Sequence, residues 1–226
     1  MKQYKIYISP SNQTANSYAT GKTNEQVQCH KIAEHCVNKL KKCGMKNVKC
    51  TYNMDMYQRV TEGNNYGADI YVCIHTNATV KHNVTGGTQI LLYKLEGENK
   101  VLGQKVLDKL GAITPGKSAE RLIAKPGFYE IRNSNGICIY CECEFHDTKE
   151  GSDFIIKNTK AIGEAIADAI LEYAGYVAPK EEVKAPSKSD KELYRVQVGA
   201  FSVKKNATAL QNQLKEDGYE AIIVKY

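Results

Sequence analysis

Hydrophobic and polar positions along the chain switch between two periods. Short apolar runs at residues 4–8, 48–52, 69–75, 88–93 and 137–143 read as strands. Between them the spacing turns helical. One helix begins near Asn24, carries Val27, Ile32, Ala33, Cys36, Val37 and Leu40 on a mostly apolar face, and stops at Gly44, a residue suited to a left-handed C-terminal cap. Shorter helical patterns follow at residues 56–64 and 98–110, and a long amphipathic one at 154–173. Strands alternating with helices predict an α/β fold, a mostly parallel sheet with helices on both faces. In such sheets functional groups gather at strand ends.

The pattern lapses after Tyr176. Residues 178–190 are charged, carry two prolines and show no period, as an extended linker does. The expected division is a domain over residues 1–176, a linker over 177–191 and a small β-α-β module over 192–226. In that module 193–201 alternates like a strand, 207–217 is helical up to Gly218, and 219–226 alternates again. About 35 residues are too few to form a stable domain alone.

Composition narrows the picture without deciding it. The chain has 226 residues, a formal charge of +6, 15 Tyr, 4 Phe and no Trp. Its lysines are scattered rather than banked into one block, which fits a solvated surface or attraction to an anionic polymer such as cell wall. No nucleic-acid motif is present, so no nucleic-acid partner is expected. No stretch approaches the roughly 20 apolar residues of a membrane span, and the first ten residues lack the apolar core of a leader, so neither insertion nor ordinary secretion is expected. Of the eight cysteines, Cys29, Cys36 and Cys43 recur every seven residues along one helix, while Cys73, Cys138, Cys141 and Cys143 sit in strand runs. Such cysteines are small buried hydrophobes in a protein made in a reducing compartment, not a disulfide framework or a Cys-x-x-Cys zinc site.

Three polar residues stand out against this background. His75 ends the run from Asp69 in the sequence Ile74-His75-Thr76-Asn77-Ala78, Glu25 opens the first helix, and Glu142 lies inside the last strand run. Singly each has an ordinary explanation: a strand-end histidine is most often structural. An acid at a helix start is favoured by the macrodipole alone, by about 0.3–1 kcal/mol. Together they are three chemically competent groups on separate buried elements.

Their order resembles a known family. Residues 4–175 resemble the zinc-dependent N-acetylmuramoyl-L-alanine amidases of the amidase-3 type. The marks are the proline turn Ile8-Ser9-Pro10, the helix opening Asn24-Glu25, Arg59 ahead of Asn64-Asn65, the histidine strand, and the segment Ile139-Tyr-Cys-Glu-Cys-Glu-Phe-His-Asp147. Residues 193–226 resemble the first half of a SPOR domain, a peptidoglycan-binding module, through Tyr194-Arg-Val-Gln-Val-Gly-Ala-Phe-Ser202, Ala207 and Gly218-Tyr219. The resemblance implies that Glu25 and His75 are metal ligands, that zinc is the cofactor, and that Glu142 is the catalytic glutamate. It also implies peptidoglycan as partner and substrate, cut at the amide between muramic acid and the first stem-peptide residue. Glu142 is preferred over Glu144 because the family glutamate stands three residues before a phenylalanine, here Phe145; Glu144 is then a neighbour able to raise the pKa of Glu142. His30, His35, His82 and His146 match no family ligand and read as surface or structural, and Arg59 and Asn65 as loop-fixing.

The chain departs from the family where the first zinc-binding histidine is expected. It reads Ser9-Pro10-Ser11-Asn12-Gln13 there, with Asn12 in register. Three outcomes are open: Asn12 or Gln13 completes the site, a residue such as His30 substitutes, or the site holds little metal. The last would leave a peptidoglycan-binding protein with a degenerate site. The expected setting is the cytoplasm until lysis, as a phage endolysin or a mother-cell autolysin.

Overall fold

The computed structural model describes residues 3–79, 86–176, 197–216, 219 and 221–224. The chain divides into two units, Met1–Lys180 and Glu181–Tyr226. The first holds a six-stranded sheet in the order β2-β1-β3-β6-β4-β5. Its strands are β1 (Ile6–Pro10), β2 (Val48–Cys50), β3 (Ile70–Asn77), β4 (Gln89–Leu92), β5 (Arg121–Ala124) and β6 (Ile137–Phe145). All pair in parallel except β4 with β6, so the mostly parallel expectation holds.

The helices are α1 (Glu25–Lys42), α2 (Met56–Tyr66), α3 (Gly97–Gly111), α4 (Tyr129–Asn133) and α5 (Lys149–Tyr173). Local chemistry sets their starts. Asn24 caps α1 by accepting from the Val27 amide, and Asp55 and Gln58 form a reciprocal capping box at α2. The α5 helix begins five residues before the apolar pattern does, because Thr148 accepts from the Gly151 amide and starts it early. Two elements, β5 and α4, go beyond the sequence expectation. Neither is long or periodic enough to announce itself.

Strand alternation sorts the core into two layers. On one face Ile6, Ile8, Ile70, Val72, Ile74, Ile90 and Ile139 pack with residues of α1, α3 and α5 such as Ile32, Leu40, Val106, Ile162 and Ile166. On the other, Tyr7, Tyr71, Cys73, Leu91, Cys138 and Tyr140 pack with Val60 of α2 and Ile131 near the end of α4. All eight cysteines are free, six of them buried, as their apolar settings predict.

Glycine is required where two loops meet beside β6. A Cβ on Gly116 would stand 2.3 Å from the Gly86 carbonyl carbon, so the two loops touch backbone to backbone. Glu144 pins the contact, accepting from the amides of Gly87 at 2.6 Å and Gly116 at 3.2 Å.

In the second unit the described residues form one helix, α6 (Lys204–Glu216). Residues 197–201 and 221–224, expected in flanking strands, are not in strands. Val198, Phe201, Ile222 and Val224 are exposed there, and strands without partners bury little apolar surface. The linker expected at 177–191 lies outside the described residues, as does His82. Among the described residues no helix is long and apolar enough to cross a membrane.

Candidate functional site

The site forms at the carboxyl end of β3, where the parallel register sets His75 directly beside Glu142 on β6. Paired residues on neighbouring strands project to the same face, so the two side chains share one side of the sheet. Glu25, from the first turn of α1, completes the trio: its Oε1 lies 2.8 Å from His75 Nδ1. The structure thus brings Glu25, His75 and Glu142 together as the sequence predicts. The loop before α1 closes over them. Asn16 Nδ2 donates to Glu25 Oε2 at 2.6 Å and to Gln13 Oε1 at 2.9 Å, and Gln13 Nε2 lies 3.4 Å from His75 Nδ1.

Behind the histidine is a buried network centred on Glu130 of α4. Its Oε1 accepts from Ser9 Oγ at 2.5 Å and Tyr71 OH at 3.0 Å, and its Oε2 accepts from Arg59 Nη2 at 3.1 Å. The same Oε2 lies 3.5 Å from His75 Nε2, an ionic contact longer than a full hydrogen bond. Tyr140 stacks on the imidazole with ring centres 4.3 Å apart and planes 19° from parallel. Glu130 escapes the sequence reading. A five-residue helix gives no period, and its one signal is an acid between Tyr129 and Ile131.

Electrostatics separate the carboxylates. Burial pushes the Glu142 carboxyl up to about 7, aided by the charge of Glu25 and opposed by His75. Glu144 is not a cause of that shift, contrary to the sequence expectation; its oxygens serve backbone amides instead. Burial would raise Glu130 too, but His75, Arg59 and Ser9 overcome it and hold it near about 2. Glu25 is likewise lowered against its burial by His75 and Asn16. Burial pulls His75 down, yet contacts with Glu130 and Glu25 push it up to about 9. The result is a charged cluster with one carboxyl, Glu142, poised near neutrality. Its Oε2 is buried without a hydrogen-bond partner among the described residues.

The donors that can meet a metal ion are Glu25 Oε1 and His75 Nδ1, with the Gln13 amide beside them. Gln13, rather than Asn12, reaches His75, and a half-turn about its last bond would present Oε1 in place of Nε2. His30 is not brought in, since its ring packs edge-on against Tyr52 at 4.9 Å. Among the described residues no three of His, Cys, Asp and Glu are grouped to hold a metal. One imidazole, one carboxylate and one neutral amide therefore remain as the candidate donors for a divalent ion, with the unpaired Glu142 oxygen on the neighbouring strand. That set is weaker than one with a second imidazole. His146 is structural, bonded by Nδ1 to Thr76 and stacked on Tyr18. Arg59 is buried in the network as a fixing residue, whereas the second fixing residue is Asn64, which bridges to the backbone of Asn133 and Asn135, rather than the expected Asn65, which is exposed.

Comparison with known proteins finds amidases. The chain is 26% identical over 173 residues to the sporulation-specific N-acetylmuramoyl-L-alanine amidase of Bacillus subtilis (strain 168), covering 76% of this chain and 62% of that protein's length. Among solved structures, an N-acetylmuramoyl-L-alanine amidase from Clostridium difficile 630 superposes with a TM-score of 0.66 at 24% identity, over 76% of this chain and 97% of that one. The catalytic domain of the CD27L endolysin targeting Clostridia Difficile gives 0.64 at 20% identity, over 75% and 97%. At these identities the structures show a shared fold. The SPOR domain model matches residues 168–225, beginning inside α5. The N-acetylmuramoyl-L-alanine amidase model matches residues 6–172, which include every residue of the site just described, and the chain belongs to that family.

Proposed function

We propose that this chain hydrolyses the amide between the lactyl group of muramic acid and the first residue of the stem peptide in bacterial peptidoglycan. The observation that carries the reading is the pairing of Glu142 with His75: a buried carboxyl raised to about 7, with one oxygen unpaired, in register beside an imidazole. A group titrating there can both take and return a proton at neutral pH. Glu142 accepts the proton of the attacking water and returns it to the departing amine nitrogen. Glu25, His75 and Gln13 would hold zinc. When bound, zinc supplies a Lewis acid that polarises the amide carbonyl and acidifies water. Tyr140 shields the imidazole face from water, and Asn16 holds Glu25 through its Oε2.

The SPOR match supports peptidoglycan binding by the C-terminal region. The sporulation-specific relative and the endolysin domain fit a hydrolase that meets the wall when a cell lyses, in a mother cell or a phage infection. The test is release of free amino groups from purified peptidoglycan by the full chain supplied with zinc, with loss of release on chelation. One specific observation favours a second reading: the third donor is a neutral amide. If the site is degenerate, the chain pelleted with peptidoglycan cuts nothing and takes up well under one zinc per molecule at saturating supply.

A further inference from the structure

Glu130 has no part in the proton transfers above, yet three side chains donate to its carboxylate. It is 3% exposed. Its donors come from three separate elements: Ser9 of β1, Tyr71 of β3 and Arg59 of α2. Arg59 is itself tied down, through Nε to Ser9 Oγ at 2.7 Å and Nη1 to the Met54 carbonyl at 2.7 Å. A counter-ion for a buried arginine would need no more than this. The arrangement does more, because Oε2 also faces His75 Nε2.

The two ring nitrogens differ sharply. Nδ1 faces Glu25 and Gln13, whereas Nε2 is buried and has no hydrogen-bond partner among the described residues, with Glu130 Oε2 3.5 Å away. Stacking on Tyr140 fixes the plane of the ring but not its flip within that plane. A flipped ring would turn carbon atoms toward both carboxylates. The observed orientation gives each nitrogen an anionic neighbour.

We propose that Glu130 is a positioning residue that accepts the Nε2–H of His75 and thereby keeps Nδ1 turned toward Glu25 and Gln13, so that Nδ1 is the nitrogen that gives up its proton when an ion binds. A carboxylate behind a ligating imidazole sets its tautomer and orientation, and loss of such a partner commonly weakens metal binding 10–100-fold. What Nδ1 then binds rests on the zinc reading above. The orientation itself does not.

The test uses the full chain labelled with 15N-histidine, in the wild type and in a double variant, Arg59→Met with Glu130→Leu. That pair replaces a buried ion pair by apolar side chains of similar size, an exchange that folded proteins often accept. In zinc-free wild type, long-range 1H–15N spectra are expected to show a slowly exchanging proton on His75 Nε2. In the double variant that proton is expected to exchange rapidly with water, and zinc affinity from chelator competition to fall 10–100-fold. Equal spectra and equal affinity in the two proteins would reduce Glu130 to a counter-ion of Arg59 and overturn the proposal. Should the double variant fail to fold, the wild-type spectrum decides alone: no protected Nε2 proton sinks the idea. A wild type that shows the protected proton but takes up no zinc would support Glu130 and refute the metal reading.

Discussion

The two faces of the sheet are built to different plans. The face under α1, α3 and α5 is aliphatic, with isoleucine, valine and leucine filling it and no buried ion pair among the contacts described. The face under α2 and α4 carries Tyr7, Tyr71 and Tyr140, then Ser9, Arg59, Glu130, His75 and Glu142 as the strands reach their carboxyl ends. One backbone ladder supports both. The aliphatic face holds the sheet through burial, which is non-directional and tolerant of small shifts. The polar face depends on directed contacts among side chains from β1, β3, β6, α2 and α4, and it is costly if any one is missing.

The comparison breaks most sharply at Glu142. Glu142→Gln is expected to cut amide hydrolysis by about 10²–10⁴-fold while the fold persists, measured as amine release per folded molecule. Next in size is Arg59→Ala, which strands a buried Glu130; urea unfolding should register a loss of about 3–5 kcal/mol, with site activity falling in parallel. Ile166→Ala on the aliphatic face should cost a comparable 2–5 kcal/mol, yet leave turnover per folded molecule unchanged. Equal activity losses from the arginine and isoleucine variants would erase the distinction drawn between the faces.

A smaller effect concerns pH. Glu142 titrates higher folded than unfolded, so its contribution to stability is full below the unfolded value near 4.5 and is lost as pH rises through about 7. Glu142→Gln should therefore gain on the wild type across that window and lead it above pH 7 by roughly 1–3 kcal/mol, read by denaturant titration at several pH values. Glu130 has the opposite sign, its contribution present above about 4.5 and lost as pH falls toward 2. The smallest expected change is at Gln13, an exposed residue. Gln13→Ala should leave melting within about 0.5 kcal/mol of wild type. It should also weaken zinc binding about tenfold, whereas Gln13→His should strengthen it.

Legibility in the sequence follows the same division. The elements bearing Glu25, His75 and Glu142 were readable because each lies in or opens a segment with a clear hydrophobic period. Of the two neighbouring acids, Glu144 is occupied with the amides of Gly87, Gly116 and Phe145, whereas Glu142 lies in register with His75. The missing parts were those that only tertiary contact defines. Glu130 rides on a helix of little more than one turn, with no side-chain cap at Phe128 to mark its start. Gln13 is one of several candidates in the sequence, and only the fold of its loop back onto His75 singles it out. The origin of the Glu142 shift could not be read from strand parity either, because it arises mainly from burial and not from the nearest acid in sequence.

The register of β3 against β6 has a consequence for how this site can change. Slipping the ladder by one residue would set His75 beside Cys141 or Cys143 and send one partner to the opposite face, so the histidine–glutamate pair is inherited from the sheet as a unit. The third donor, by contrast, sits on a surface turn that no ladder bond holds. On the proposed function, the residue at position 13 can therefore be exchanged to retune ion binding while His75 and Glu142 stay at fixed spacing. The scaffold separates the part of the chemistry that must be conserved from the part that is free to drift.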